Sequence, residues 1–327
     1  MVDQNDISIG VVVPAHRSSE TISATLDAIV AQTVAVADAI VVLDGPDDAT
    51  EAAVRAHSSG IESTSLAENT GGPAAPRNAG AARLLARGSI DAIWFLDADD
   101  VPDPRFVSVV RDLARRHPEV DLLATGFEPW FAGDPPPPAD DAVDRPADRV
   151  DLDWYLEHTG SVLPSFSVIR TRILDHLRSE RVPFSTHLRI NQDFDAFVRA
   201  IHLGKAMRTT WSGGAYRIHD SGISADGAAT WICRMLADEE LVDWFATRGH
   251  DELASRFRRA SRSASRSAAR HLWRRHRSGD RATAIRLLLD DLAEGVDVRS
   301  LALLVGLLFG VDRRVRAIPV GDVRTRS

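Results

Sequence analysis

The stretch "DAIWFLDADDVPDP", residues 91–104, decides the fold of this chain. Five of the six residues at 91–96 are apolar, and three of the four at 97–100 are aspartates. Such an apolar run predicts a strand buried on both faces, as in a parallel sheet covered by helices. Ligands of such sheets bind at the carboxyl ends of the strands. The aspartates therefore stand where a functional site is expected.

The residues before this stretch repeat a strand-then-helix pattern. Strands are predicted at 7–15, 39–45, 61–67 and 90–96, with helices at 18–33, about 48–58 and 76–88 between them. Four apolar side chains share one face of the first helix, behind a serine cap: Ile22, Leu26, Ile29 and Val30. Asp47 or Asp48 is expected to cap the second helix, and Gly88 to end the third. The alternation predicts an α/β fold with a mostly parallel sheet flanked by helices.

The second half of the chain is less regular. A strand at 120–130 precedes the segment 131–151, which is too rich in proline and aspartate for regular structure. This segment is either a plain surface excursion or a wall of the substrate site. Further elements are predicted as helices at 167–177 and 191–203, strands at 206–211 and 214–219, and helices from about 228 onward.

Length and composition limit the function classes. The 327 residues suit one large α/β domain with an appended helical part, and we expect a division into 1–227 and 228–327, the first subdivided at about residue 100. A net charge of −8 does not favour nucleic acid as a partner, and one cysteine, Cys233, excludes an intramolecular disulfide. The first ten residues lack the pattern of a signal peptide, and the apolar run at 301–310 is too short to span a bilayer. A cytoplasmic location is therefore expected.

The aspartates after the strand at 90–96 permit two interpretations. If the segment is extended, Asp97 and Asp99 point to the same side with Cα atoms about 6.5 to 7 Å apart, and Asp100 points away. Converging carboxylates share a proton or hold a cation, and oxygen ligands favour Mg²⁺ or Mn²⁺. Alternatively, the aspartates cap the helix that starts near Pro104 or form a turn with Pro102. The spacing alone leaves both open.

Six motifs, taken in order, resemble those of the GT-A family 2 glycosyltransferases. They are "VVVPAHRSSETISATLDAIVAQT", "AIVVLDGPDDAT", "NTGGPAAPRNAGAA", "WFLDADDVPDP", "INQDFDAFVRA" and "YRIHDSGIS", which together cover about residues 7–225. The resemblance implies a GT-A fold, a Rossmann-like sheet with flanking helices. It also implies an inverting transfer of sugar from a nucleotide-diphosphate sugar to an acceptor hydroxyl.

The resemblance also implies roles for individual residues. Asp193 matches the catalytic base, and Asp99 and His219 match groups near the metal and the diphosphate, with Asp97 completing the DxD motif toward the ribose. The remaining positions that match nucleotide-sugar contacts are Pro14, Ala15, His16, Asp44, Arg77 and Asn78. Mg²⁺ or Mn²⁺ is the implied cofactor.

Several of these residues have ordinary structural alternatives. Asp193 could be a favourable charge in the first turn of a helix capped by Asn191, and Asp195 competes with it for the role of base. Without the family, His16, His219 and Arg77 could equally be structural residues.

Three positions depart from the family pattern. Gln192 replaces the glutamate that usually precedes the base, "DGPDD" has proline where serine is preferred, and "PAHR" has arginine where asparagine is common. None of these changes removes a group that the chemistry requires. The first leaves acceptor recognition open, and we take Gln192 and Trp211 as acceptor-side candidates.

The predicted helical tail carries an arginine stripe. Five arginines recur every four residues beside a small apolar stripe: Arg258, Arg262, Arg266, Arg270 and Arg274. Like charges at this spacing disfavour an isolated helix, so a compensating acidic group is expected. Pairing with acids of the same tail is the first interpretation, and contact with an anionic membrane surface or a phosphorylated acceptor is the second. The apolar helices near the C-terminus are expected to pack on the tail or to form a homodimer contact.

The sequence therefore predicts a metal-dependent inverting glycosyltransferase, located in the cytoplasm or peripherally at the inner membrane face. UDP-sugar is the expected donor through Asp44, and thymidine and guanosine nucleotides stay open. The acceptor is a saccharide, a lipid-linked or a small molecule, as in cell-envelope polysaccharide, glycolipid or secondary-metabolite glycosylation. The alternatives are a noncatalytic sugar-nucleotide-binding protein and, less well supported because "PAHRSSE" has no glycine, a sugar-nucleotide pyrophosphorylase.

Overall fold

The computed structural model describes residues 7–131, 133–219, 226–275, 277–293, 295 and 297–308. They divide into two compact units, Met1–Gly222 and Ile223–Ser327. The expected functional division at 227 and the subdivision at 100 stay predictions. Residues 1–6 of the segment without a signal-peptide pattern lie outside the described residues, as do 220–224 of "YRIHDSGIS" and 309–310 of the apolar run.

The first unit is built on one sheet. Its strands are β1 Ile9–Ala15, β2 Asp38–Leu43, β3 Glu62–Ser65, β4 Ala92–Phe95, β5 Val101–Pro102, β6 Leu122–Phe131, β7 Ala147–Val150, β8 Ser167–Arg170 and β9 Ala206–Ile218. Among the described residues the order is β3-β2-β1-β4-β8-β6-β9-β5, with β7 also paired to β9. The half from β3 to β4 is parallel. The other half is mixed, because β8 runs antiparallel to both β4 and β6 while β6 and β9 are parallel.

Helices cover both faces of this sheet, as predicted. They are α1 Ile22–Val30, α2 Asp48–Ala56, α3 Ala74–Leu85, α4 Phe106–Arg116, α5 Leu152–Glu157, α6 Thr171–Glu180 and α7 Gln192–Leu203. The core on one face packs α1 and α4 against Val11, Val13 and Trp94. On the other face α3 approaches β1 so closely that a Cβ at Gly80 would lie 2.4 Å from Cγ1 of Val12. This packing holds the carboxyl ends of the parallel strands at one edge.

The capping predictions had different outcomes. Asp47 caps α2 as expected, since its side chain accepts a hydrogen bond from the backbone N–H of Thr50 at 3.2 Å. The predicted serine cap of α1 is wrong, because the backbone carbonyl of Ser18 accepts from Thr21 and Ile22 at 3.0 and 2.9 Å. Val30 does not join the buried face and is 61% exposed. Ser18 therefore contacts the start of α1 through a backbone turn, and not through its side chain.

Three element predictions in the second half need correction. Residues 167–170 form β8 rather than the start of a helix, since they pair with both β4 and β6. The two strands predicted at 206–211 and 214–219 are one strand, β9, whose register with β6 shifts at two bulges. The segment 131–151 contains β7, which pairs with β9. Tertiary pairing, which local composition does not encode, decides all three cases.

The second unit is helical, as predicted. It comprises α8 Gly227–Ala246, α9 Asp251–Arg274, α10 Ser278–Ala293 and α11 Val298–Leu308. Two arginines of the stripe on α9 are paired within the unit: Arg262 Nε lies 3.4 Å from Asp291 Oδ1, and Arg266 binds Asp297. Pairing with acids of the same tail is therefore confirmed for these two positions. Of the helices that the described residues form, none combines the length and apolar character that crossing a bilayer requires.

Candidate active site

The DxD aspartates lie in a turn at the carboxyl edge of the sheet. The backbone N–H of Asp100 donates to the carbonyl of Asp97 at 3.2 Å, so the extended conformation expected for this segment is wrong. Ser165 Oγ accepts the N–H of Asp97 at 3.1 Å. The backbone N–H of Arg217 donates to Asp100 Oδ1 at 2.9 Å, and its Nε donates to the carbonyl of Asp99 at 2.9 Å. Strand β9 thus holds the turn in place.

Asp99 and His219 meet at this turn. Nε2 of His219 lies 3.1 Å from Oδ2 of Asp99, and the two side chains are 28% and 38% exposed, respectively. Burial raises the pKa of Asp99, the negative charge of Asp97 raises it further, and His219 opposes both. A cation at this position would relieve the repulsion between the two carboxylates.

These residues fit a divalent cation that shares its coordination with a substrate. Within the described part of the chain, no group of three or more His, Cys, Asp or Glu side chains could hold a metal ion. One carboxylate and one imidazole, both accessible, leave the remaining positions to a diphosphate and water, which is how Mg²⁺ is usually bound in phosphate sites.

Arg77 is buried beneath the turn rather than exposed to a nucleotide. Its side chain is 2% exposed, Nη2 donates to Asp97 Oδ1 at 2.5 Å, and Nη1 donates to Gln192 Oε1 at 2.8 Å. The guanidinium also lies over the ring of Phe184, 5.4 Å from its centroid. Arg77 therefore links Asp97 to the first residue of α7. Gln192, expected on the acceptor side, is 5% exposed and occupied by this contact.

Asn78 is also engaged inside the protein. Its amide nitrogen donates to the carbonyl of Phe184 at 2.7 Å, and its amide oxygen accepts the N–H of Phe184 at 3.0 Å. Both polar groups of the side chain thus hold one backbone unit. These two bonds fix the backbone of Phe184, whose ring packs against the guanidinium of Arg77.

Asp193 lies at the start of α7, close to Arg77 and Asp97. Burial raises the pKa of Asp193, the charge of Arg77 lowers it, and the charge of Asp97 raises it. A carboxylate with a raised pKa is a stronger base than an exposed aspartate. The residue before the helix, Asn191, adopts the left-handed conformation with φ 64°. This left-handed residue directly precedes Gln192, through which Arg77 links the start of α7 to Asp97.

Asp195, the competing candidate for the base, has a structural role. It is fully buried, and both its oxygens accept from Arg181 Nη2 at 2.7 and 2.8 Å. Arg199 Nη2 donates to Asp195 Oδ2 at 2.6 Å. A carboxylate held between two arginines in the interior does not reach a substrate.

The expected nucleotide contacts surround the end of β2. Asp44 is 4% exposed, and its Oδ1 accepts from the N–H of Thr70 at 2.9 Å and from Thr70 Oγ1 at 2.7 Å. His16 is exposed, and the amide nitrogen of Asn69 lies 3.1 Å from both of its ring nitrogens. Sequence reasoning missed Asn69 and Thr70, although both belong to the quoted motif "NTGGPAAPRNAGAA".

Pro14 and Ala15 contribute backbone rather than side chains. Both are buried in the last two positions of β1, and the carbonyl of Ala15 accepts the N–H of Asp44 at 2.8 Å. Gly45 follows with φ 85°, and a Cβ there would lie 2.5 Å from the N of Asn69. The ends of β1 and β2 and the loop at 68–72 are therefore packed tightly together.

Trp211 does not reach the surface of the site. It is fully buried in the core, and its indole Nε1 donates to the carbonyl of Asp140 at 2.8 Å. Asp140 also accepts the N–H of Ser212 at 3.2 Å. A buried tryptophan usually finds a hydrogen-bond partner for its indole N–H, and Asp140 supplies it here. These bonds join the segment 131–151 to β9.

A family model decides the assignment. The model described as Glycosyl transferase family 2 matches residues 10–178, more than half of the chain. The chain belongs to glycosyl transferase family 2. No curated protein matches this family 2 chain.

Solved structures confirm the GT-A fold. TarS from S. aureus is 17% identical with a TM-score of 0.61 over 94% of this chain and 54% of that chain, so this chain spans about half the length of TarS. TarS 1–349 in complex with UDP-GlcNAc gives 15% identity and a TM-score of 0.62 over 95% and 90% of the two chains. The mannosyltransferase PcManGT from Pyrobaculum calidifontis, in complex with GDP-Man and Mn²⁺, is 16% identical to this chain. Its TM-score is 0.53 over 95% of this chain and 82% of that chain. At these identities the likeness shows the fold alone.

Proposed function

We propose that this family 2 glycosyltransferase moves a sugar from a nucleoside-diphosphate sugar to an acceptor hydroxyl with inversion at the anomeric carbon. The observation that carries the proposal is the contact of Arg77 with Asp97 on one side and Gln192, next to Asp193, on the other. It brings a donor-side carboxylate and a candidate base into one cluster at the ligand edge of the sheet.

The proposed chemistry is a single displacement with Asp193 as the general base. Asp193 takes the proton of the acceptor hydroxyl while the acceptor oxygen forms a bond to the anomeric carbon. The bond from that carbon to the diphosphate oxygen breaks, and the electron pair leaves with the nucleoside diphosphate. A positioned base of this kind contributes about 10²- to 10⁴-fold. Attack from the face opposite the leaving group inverts the configuration.

Asp99 and His219 are the residues that would hold Mg²⁺ or Mn²⁺. When bound, the cation neutralises the charge that develops on the leaving diphosphate. The exposure of both side chains and the repulsion between Asp97 and Asp99 support this part of the proposal. The complex of PcManGT with Mn²⁺ supports it by analogy of fold.

The nucleotide is proposed to bind over the ends of β1 and β2. The exposed ring of His16 offers a stacking surface, and Asp44 offers a carboxylate held by Thr70. A carboxylate accepts from the imide N–H of uracil, so UDP-sugar is the first donor to test, with the thymidine and guanosine donors as alternatives. TarS 1–349 forms complexes with UDP and UDP-GlcNAc. The acceptor is proposed as a saccharide, a lipid-linked or a small molecule, in the cytoplasm or at its membrane face.

A binding experiment tests this proposal. Thermal unfolding of the full chain is measured with UDP, TDP, GDP and their sugars, in Mn²⁺ or in EDTA. A ligand at 100 times its Kd stabilises the fold by about 2.7 kcal/mol. We expect one nucleotide to raise Tm, and we expect EDTA or Asp99→Asn to abolish most of that increase. Folded wild-type protein that responds to no nucleotide would contradict the proposal.

A second experiment separates a transferase from a noncatalytic binding protein. The donor found above is incubated with a panel of acceptors, and NMR coupling constants report the anomeric configuration of the product. We expect inversion and no product from Asp193→Asn, which should still bind the nucleotide. Retained configuration excludes the single displacement. Binding without turnover, for all acceptors and for water, favours the noncatalytic alternative.

A further inference from the structure

Arg217 lies at the turn that carries the DxD motif, although the motif matches give it no role. Its Nε donates to the carbonyl of Asp99 and its backbone N–H donates to Asp100 Oδ1, both at 2.9 Å. Two residues later, Nε2 of His219 lies 3.1 Å from Oδ2 of Asp99. Side chains two residues apart in an extended chain point to the same side. Direct contacts thus place Arg217 and His219 together on Asp99.

The guanidinium of Arg217 is held over an indole ring. Its Cζ lies 3.8 Å from the ring centroid of Trp130, which is the register partner of Arg217 on β6. Trp130 is itself fixed, since its Nε1 donates to the carbonyl of Asp134 at 2.9 Å. Contact with a ring face leaves the N–H groups at the edge of a guanidinium free to donate. Trp130 and the carbonyl of Asp99 therefore hold the cation in one position while its outer edge stays open.

The two Nη groups at this outer edge have no partner within the described residues. Nε is the one guanidinium atom of Arg217 with a hydrogen bond there, and no carboxylate pairs with this partly buried cation. Arg105 also lies over a tryptophan of the same unit, but its Nη2 binds Asp103 at 2.8 Å. Charges that are removed from water are usually paired. The open fork of Arg217 therefore fits an anion that comes from outside the protein.

The diphosphate of the donor is the anion that suits this position. A guanidinium offers two parallel N–H groups, which match the oxygens of a phosphate. The proposed site of the nucleoside is at the ends of β1 and β2, whereas Arg217 contacts Asp99, which is proposed to lie beside the diphosphate.

We propose that both Nη groups of Arg217 donate to the diphosphate of the bound donor. Arg217 is then a further substrate-contacting residue, and Trp130 is the residue that positions it. The contact strengthens in the transition state, because negative charge gathers on the diphosphate as its bond to the anomeric carbon breaks. This inference rests on the proposed function.

The test compares nucleotides with and without the second phosphate in Arg217→Gln, which removes the charge and keeps the backbone N–H. Calorimetry gives the Kd of UDP and of UMP in Mn²⁺. If the wild type prefers another base, the diphosphate and monophosphate of that base are used. We expect the Kd of UDP to rise by about 10- to 100-fold, as for the loss of a hydrogen bond to a charged group, and that of UMP by less than about 3-fold. Equal changes for UDP and UMP, or no change, would overturn the proposal.

Arg105→Gln is the matched control, because it removes the same charge from an arginine whose guanidinium is already paired. The substitution can lower the stability of the fold, but it should leave the ratio of the two Kd values unchanged. If this ratio changes as much as in Arg217→Gln, the effect comes from net charge and the contact with the diphosphate is refuted.

A double-mutant cycle tests the positioning role of Trp130. Trp130→Leu should raise the Kd of UDP by about 2- to 5-fold, as for the loss of a cation–π contact. In Arg217→Gln the same substitution should add nothing, because the guanidinium that Trp130 holds is gone. A full further loss in the double variant would show that Trp130 does not act through Arg217.

A measurement on wild-type protein removes dependence on the folding of the variants. In protein labelled with ¹⁵N at arginine, a guanidinium bonded through both Nη groups rotates slowly, and its Nη signals separate. We expect UDP, but not UMP, to cause this separation for one arginine, whose signals are absent in Arg217→Lys. If no arginine responds, or if the one that responds persists in Arg217→Lys, the proposal fails. Wild-type protein that binds no nucleotide would instead refute the proposed function itself.

Discussion

Arg77 donates to Gln192 at 2.8 Å, so the buried cation beside the candidate base has a neutral partner on that side. Its charged partner is Asp97. With glutamate in place of Gln192, as the family resemblance leads one to expect, the same cation would face two carboxylates, and Asp193 would gain a charged neighbour. Because the amide of Gln192 is neutral, the positive charge of Arg77 acts mainly on Asp97 and Asp193. The departure from the family pattern therefore affects the electrostatics of the base.

Removing the charge of Arg77 is expected to shift the pH dependence of the reaction. Arg77 lowers the pKa of Asp193 against the effect of burial, so the pKa rises further in Arg77→Gln. The base must be ionised, and the acidic limb of kcat/KM then moves to higher pH. Lost positioning adds a decrease of about 10²-fold at all pH values. The measurement is kcat/KM from pH 5 to 9.

Arg77→Lys is the control for this shift. It keeps the charge and loses the two-sided contact, so we expect lower activity with the acidic limb close to that of the wild type. An acidic limb that is unchanged in Arg77→Gln would contradict the electrostatic role of Arg77.

Asp193 and Asp195 are expected to fail in different ways. Asp193→Asn should lower kcat by about 10²- to 10⁴-fold with little change in Tm or in the affinity for the nucleotide. Asp195→Asn leaves Arg181 and Arg199 without their buried carboxylate, and breaking such a group costs about 3 to 5 kcal/mol. Kinetics and thermal unfolding of both variants check this. Equal activity losses at unchanged stability would show that Asp195 takes part in catalysis.

The edge where the site lies could be predicted from the sequence, because parallel strands place their carboxyl ends together. The contact between Asp99 and His219 agrees with the family resemblance, which matches both residues to groups near the metal and the diphosphate. The burial of Arg77 and Trp211 could not be predicted, since it depends on Gln192 and Asp140, which lie 115 and 71 residues away from them. The sequence leaves the turn at Asp97–Asp100 and an extended segment both open for a related reason: the strand that fixes the turn, β9, is distant in sequence.

Short elements in the second half show the same limit. The sequence "SVIR" at 167–170 is too short to be distinguished from the helix that follows it, and its pairing with β4 and β6 makes it a strand.

Asp238 on α8 is expected to make the stability of the second unit dependent on pH. Burial raises the pKa of Asp238 to about 6, although Arg234 Nε lies 3.1 Å from its Oδ1 and opposes the shift. In the unfolded chain an aspartate has a pKa of about 3.9. The folded state alone holds the proton between these values, so stability is lost as the pH rises from about 4 through 6, by about 3 kcal/mol.

Asp238→Asn removes this titration. Urea unfolding of the full chain at pH 4.5, 5.5 and 7, read by hydrogen exchange on α8, gives the stability difference between wild type and variant. We expect the wild type to lose stability relative to Asp238→Asn as the pH rises. A difference that does not depend on pH would show that Asp238 is ionised throughout this range.

Arg266 is expected to support the second unit much more strongly than Arg258, the exposed first arginine of the same stripe. It is 8% exposed, binds Asp297, and donates to Ser300 Oγ at 3.2 Å. Arg266→Ala leaves Asp297 without this partner and should cost about 3 kcal/mol. Arg258, eight residues earlier on α9, is exposed, and Arg258→Ala should leave the urea midpoint unchanged. Hydrogen exchange on α9 in urea measures both variants. Equal effects would mean that the stripe stabilises the unit through its total charge, and a membrane or phosphorylated partner would then be the better explanation of its spacing.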